Sequence, residues 1–90
     1  MNEVWIFNGE NSYLPSAAFS SLEKAEEWIL ANKVSGILTS YPIDESLYDW
    51  ALRAEYFAPK KDYQKEAKFI QRFTSAYRDH YHYENGNRMT

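Results

Sequence analysis

Four residues near the start of the chain, Val4-Trp5-Ile6-Phe7, limit its fold more than any others. All are β-branched or aromatic, the types that fit a pleated strand. In an extended chain successive side chains point to opposite faces. Val4 and Ile6 therefore share one face, and Trp5 and Phe7 share the other. A strand that is apolar on both faces belongs inside a sheet that is covered twice. Asn8-Gly9 follows at once and reads as the entry to a turn, because both residues tolerate positive φ. The remaining sequence must supply the partner strands and the cover.

With 90 residues, one core fits and a second does not. The expectation is a single compact domain over 1–90, with residues 84–90 as a mobile tail. Tyr13–Phe19 reads as the return strand, moved toward an edge position by Pro15. Ser20-Ser21-Leu22-Glu23 has the spacing of a capping box, a Ser hydroxyl with Glu three residues on. The helix it opens runs to about Asn32, with Leu22, Ala25, Trp28 and Ile29 on one side. Val34–Ile43 is a second strand, with Gly36 marking a bulge. Asp44 is the natural N-cap of a helix over Glu45–Glu55, where Leu47, Trp50, Ala51 and Ala54 form an apolar stripe. After a break at Phe57–Lys61, Phe69, Ile70, Phe73 and Tyr77 predict an amphipathic helix over Tyr63–Tyr77. His80–Glu84 alternates strictly and reads as a final strand beside Val4–Phe7. The order β-β-α-β-α-α-β gives an α+β fold, a small mostly antiparallel sheet with helices packed on one side.

The chain has no cysteine, which excludes a disulfide scaffold, a thiol nucleophile and a thiolate metal site. It shows no basic N-terminal start followed by a long apolar run, and Val4–Phe7 is far short of the ~20 residues that cross a bilayer. A soluble cytoplasmic protein without membrane association is the expectation. The net charge is −3 but unevenly spread: residues 1–55 hold nine acids and three bases, residues 56–90 seven bases and four acids. Such a division can guide self-association or the choice of partner.

Three groups of residues carry candidate chemistry. His80, His82 and Glu84 fall on one face of a strand, where two imidazoles and a carboxylate are a plausible zinc, iron or manganese set, with Glu10 or Asp79 as further donors. The plainer account is a polar strand face opposite an inward Tyr81 and Tyr83. Lys61, Lys65, Lys68 and Arg72, spaced four, three and four apart, could follow a phosphate backbone with Tyr63 stacking on a base. The plainer account is the wet face of an amphipathic helix, and Glu66 sits among these bases. The third group comes from the aromatic content of three Trp, eight Tyr and five Phe. A core this small cannot hide sixteen rings. Trp5, Trp28 and Trp50 read as core, while Tyr41, Tyr48 and Tyr56 are candidates for a protein-binding surface. No serine lies in a G-x-S-x-G setting, and there is no phosphate loop, no dinucleotide fingerprint and no cofactor motif. Asp44, Glu45 and Asp49 are explained by the start of a helix.

Beyond the local patterns, Val4-Trp5-Ile6-Phe7-Asn8-Gly9-Glu10, Phe19-Ser20-Ser21 with Glu23-Lys24-Ala25-Glu26, Ser35-Gly36 with Leu38-Thr39, Tyr48-Asp49-Trp50-Ala51, Phe69-Ile70-Gln71-Arg72-Phe73 and His80-Tyr81-His82-Tyr83-Glu84 resemble, in order and along nearly the whole chain, a small bacterial protein family of unknown function. The resemblance implies a chain of similar size and no assigned activity, so no catalytic or binding residue is carried over. The residues themselves favour a non-catalytic module that binds another protein, either a larger partner in the manner of an immunity protein or inhibitor, or a second copy. A metal-dependent protein using His80, His82 and Glu84, and a nucleic-acid-binding regulator using Lys61–Arg72, are the alternatives.

Overall fold

In the computed structural model, which describes residues 2–89, Val4–Phe7 lies within β1 (Glu3–Gly9). It is interior as its composition demands, flanked by β2 (Ala17–Phe19) and β3 (Gly36–Pro42). The sheet is antiparallel with five strands in the order β2-β1-β3-β4-β5, where β4 is His80–Glu84 and β5 is Asn87–Arg88. Helices complete an α+β fold.

The chain divides into two compact units: the residues up to Ile43 together with those from Arg78 onward, and Asp44–Tyr77. In the sheet unit, α1 (Leu22–Asn32) starts at Ser21, whose hydroxyl accepts a hydrogen bond from Lys24 N–H. It ends at Lys33, whose left-handed φ of 53° lets the cap N–H reach Ile29 and Leu30 carbonyls. Ala25 and Ile29 of α1 meet Trp5, Phe7, Leu38 and Tyr83 from one face of the sheet in the buried core. Trp28 closes its side, edge-on to Phe7 at 5.5 Å and tilted against Phe19 at 5.6 Å.

Four details of the sheet depart from the sequence reading. The return strand shrinks from Tyr13–Phe19 to Ala17–Phe19, because Pro15 lacks a donor and Tyr13 and Leu14 turn outward. Gly9 remains in β1 opposite Gly36, and the left-handed residue of the following loop is Asn11, at φ 64°. His80–Glu84 pairs with β3 rather than with Val4–Phe7, in register Ile37↔His82 and Leu38↔Tyr81, since β2 already occupies the free side of β1. Within the expected tail, Glu84–Arg88 makes a hairpin with the end of β4. Asn85 and Gly86 both take positive φ, 52° and 89°, the geometry of a two-residue turn, and β5 folds back on Tyr83 and Glu84. Thr90 lies outside the described residues.

In the second unit, α2 covers Leu47–Arg53, shorter than the expected 45–55. Asp44 is not its cap. It sits at φ 63° in a turn, and the Ser46 hydroxyl accepts from Asp49 N–H instead. Glu45, ahead of the helix, makes a two-point ion pair with Arg53 at 3.0 Å, and this raises the Arg53 pKa. The long third helix does not form. A 3-10 turn at Asp62–Lys65 is followed by the single turn α3 (Ala67–Ile70), separated by Glu66 in an extended conformation. No helix of the described residues is long and apolar enough to cross a membrane.

Candidate functional site

The Asp44–Tyr77 unit is built around rings. Tyr48 is 6% exposed and receives the edges of Phe69 and Phe73 at centroid distances of 6.3 and 5.4 Å, with Phe57 tilted at 5.8 Å. Its hydroxyl donates to the Gln64 carbonyl at 2.8 Å. Gln64 in turn accepts at its side-chain oxygen from the N–H groups of Lys60 and Lys61. This network holds the Lys60–Gln64 stretch against Tyr48, while Phe69 and Phe73 return to the same ring. Tyr48, a protein-binding candidate in the sequence, is a buried core residue of its unit.

The outer side of the same cluster is a groove of about 460 Å³ lined by Lys68, Phe69, Arg72, Phe73 and Thr74. Its lining couples two half-buried rings to two cations. Lys68 and Arg72 make no ion pair among the described residues, where the ion pairs are Arg53–Glu45, Arg78–Glu3 and Arg88–Glu26. The four bases expected on one helix face are thus divided. Lys61 precedes the 3-10 turn, Lys65 ends it, and only Lys68 and Arg72 line the groove. Tyr63 stands edge-on to Phe69 at 5.8 Å.

A second aromatic feature of this unit is a surface stack. Tyr56, 49% exposed, lies nearly parallel to Tyr77, 66% exposed, at 4.2 Å and 8°. Trp50 tilts against the Tyr56 ring at 5.3 Å. Of the three tyrosines singled out in the sequence, Tyr56 is the one in an exposed ring assembly. Tyr41 is half-buried in β3. Trp50, read from the sequence as core, and Tyr77, read as part of a helical apolar stripe, instead meet Tyr56, and only the return of the chain after α3 brings Tyr77 there.

In the sheet unit, His80 and His82 share one face of β4, their rings 5.9 Å apart. His80 Nδ1 lies 2.9 Å from the Arg78 carbonyl. Glu84 is exposed on the same strand. Among the described residues no group of three or more His, Asp or Glu side chains is placed to hold a metal ion. His82 instead borders a cleft of about 370 Å³ with Gly9, Glu10, Ser12, Gly36 and Ile37. On the opposite face, Tyr83 donates to Glu26 at 2.6 Å, and Arg88 Nε donates to the same carboxylate at 2.9 Å. Burial alone would raise the Glu26 pKa, but the hydrogen bonds from Tyr83 and Arg88 and the Arg88 charge outweigh it and hold it below the usual value. Burial and the Glu26 hydrogen bond push the Tyr83 phenol well up, and Glu26 raises Arg88. Arg88 also lies over the Tyr81 ring at 4.0 Å. This cluster ties β4 and β5 to α1.

Neither a curated protein nor a solved structure matches the chain. A family model does, over residues 4–89, from the paired strand Val4–Phe7 through the β4–β5 hairpin. The chain belongs to that family, described as a domain of unknown function, DUF7710.

Proposed function

We propose that the chain is a non-catalytic accessory module that binds a partner protein, and that the groove of the Asp44–Tyr77 unit receives an extended acidic segment anchored by an apolar side chain. The observation that carries this reading is the pairing of Phe69 and Phe73 with Lys68 and Arg72 in one groove. Aromatic residues and Arg are enriched where proteins dock, and charged residues near an apolar pocket choose the partner and speed the encounter. The exposed Tyr56–Tyr77 stack adds rigid aromatic area, which orders at low entropy cost on binding. A cytoplasmic location and an inhibitor-like role, capping an acidic site on a larger protein, belong to the same proposal.

The test is a titration with a fluorescent acidic peptide carrying a Leu-Phe pair, followed by NMR shifts of the backbone amides. The peptide should perturb Lys68–Thr74. A Lys68→Glu, Arg72→Glu variant should weaken it about tenfold, or about 1.4 kcal/mol, and added salt should weaken it as well. A lysine-substituted control peptide should not bind. Equal binding of both peptides, or tighter binding of a single-stranded oligonucleotide at the same residues, overturns the reading.

A further inference from the structure

The loop between β1 and β2 holds two large apolar side chains in water. Tyr13 is 102% exposed and its neighbour Leu14 78%. Single exposed apolar residues are common on any protein, but an adjacent pair at the crown of a loop is a display. The loop is also tied down. Ser12 N–H donates to the Gly9 carbonyl at 3.1 Å, Asn8 Nδ2 to the Ser12 carbonyl at 3.0 Å, Glu10 N–H to the Ser35 carbonyl at 2.9 Å, and Ser16 N–H to the Phe7 carbonyl at 3.0 Å. Pro15 further restricts Leu14 to extended conformations. A loop ordered beforehand loses little conformational freedom when it docks.

The loop has a charge as well as a shape. Glu10 is exposed in it, and no Lys or Arg occurs before Lys24. An acidic loop crowned by an aromatic and an aliphatic side chain has the chemistry that the Lys68–Thr74 groove calls for: apolar anchors for Phe69 and Phe73, and a carboxylate for Lys68 and Arg72. We infer that the Glu10–Leu14 loop of one copy seats in the groove of a second copy, with Tyr13 and Leu14 against Phe69 and Phe73. This rests on the reading of the groove given above and names its occupant. The two patches differ, so one such contact leaves a loop and a groove free, to be filled reciprocally in a closed pair or ring or to extend as a chain. A loop in a groove lies at the small end of interfaces, below ~1,200 Å², where association is weak.

The experiment is sedimentation of the whole chain over a concentration series reaching about 1 mM, the affinity of a weak contact. Three proteins are compared: the natural chain, a loop variant Tyr13→Ser, Leu14→Ser, and a groove variant Lys68→Glu, Arg72→Glu. All four positions are exposed, and circular dichroism checks that each variant is folded. The natural chain should rise above its 10.7 kDa monomer mass with concentration and return toward it in salt. Each variant alone should remain a monomer. Their equimolar mixture should form a dimer and stop there, because it contains one intact loop and one intact groove per pair. A natural chain that stays monomeric throughout, or a mixture that stays monomeric, overturns the inference. If the acidic peptide still binds Lys68–Thr74 in that case, the groove reading stands without it. If self-association survives in the groove variant, the groove is not the seat.

Discussion

Gly36 and Ser40 show how narrowly β3 is fitted. A Cβ on Gly36 would lie 2.3 Å from the Asn8 carbonyl oxygen, 2.8 Å from the Phe7 ring and 2.9 Å from the Gly9 Cα. Most of these contacts are backbone and cannot turn aside. Gly36→Ala should therefore cost about 1–3 kcal/mol, the usual range for overpacking, seen as a lower urea midpoint. Ser40 is the opposite case. It is buried, and its hydroxyl has no hydrogen-bond partner among the described residues. An unpaired buried hydroxyl costs more than it contributes. Ser40→Ala should stabilise the fold by about 1 kcal/mol, seen as a higher urea midpoint. An unchanged or lower midpoint would show that the oxygen is satisfied in solution.

Among the elements, α1, β4 and β5 are joined through one carboxylate, and the joint has a pH signature. Because the folded pKa of Glu26 is held down, its contribution is present above the ordinary carboxylate value and is lost as pH falls through the folded value. Tyr83 runs the other way. Its raised folded pKa gives a contribution present below the ordinary phenol value and lost as pH rises through the folded one. The difference in melting temperature between the natural chain and Glu26→Gln should be greatest near neutral pH and shrink on acidification below about 4.5, the unperturbed value. A difference that is constant with pH would mean that Glu26 is not ionised in this tie. The elements that the sequence predicted well are those whose pattern and partners agree: β1 by its doubly apolar run, α1 by its Ser cap and its Ala25–Ile29 stripe, and β4 by its alternation. The Tyr63–Tyr77 segment was misread for a physical reason. Its ring spacing fits a helix, but Phe69 and Phe73 pack on Tyr48 and Phe57 while Tyr63 and Tyr77 stay exposed, and the backbone is extended at Glu66. The site was legible to the same extent. Lys68 and Arg72 announced themselves by charge, while their grouping with Phe69 and Phe73 depended on that break.

Across the whole molecule, Asp44–Tyr77 is an excursion between two neighbouring strands. β3 and β4 pair directly, and their pairing continues to the boundary, where Ser40 N–H donates to the Asp79 carbonyl at 2.9 Å and Arg78 Nε to the Ser40 carbonyl at 2.9 Å. Among the described residues, the buried core cluster of the sheet unit is Trp5, Phe7, Ala25, Ile29, Leu38 and Tyr83. Replacing Asp44–Tyr77 by a short Asn-Gly turn should leave a less stable but folded sheet, recognised by NMR contacts between Ile37 and His82 and between Leu38 and Tyr81. Loss of those contacts would show that the excursion is needed for the sheet to hold. The same connectivity bears on how the chain is made. β3 leaves the ribosome with β1 on one side and nothing on the other, and its second neighbour is not synthesised until the whole of Asp44–Tyr77 has followed. During that wait β3 carries a bare hydrogen-bonding edge, and its pairing with β4 is a late, long-range event of the kind that slows folding.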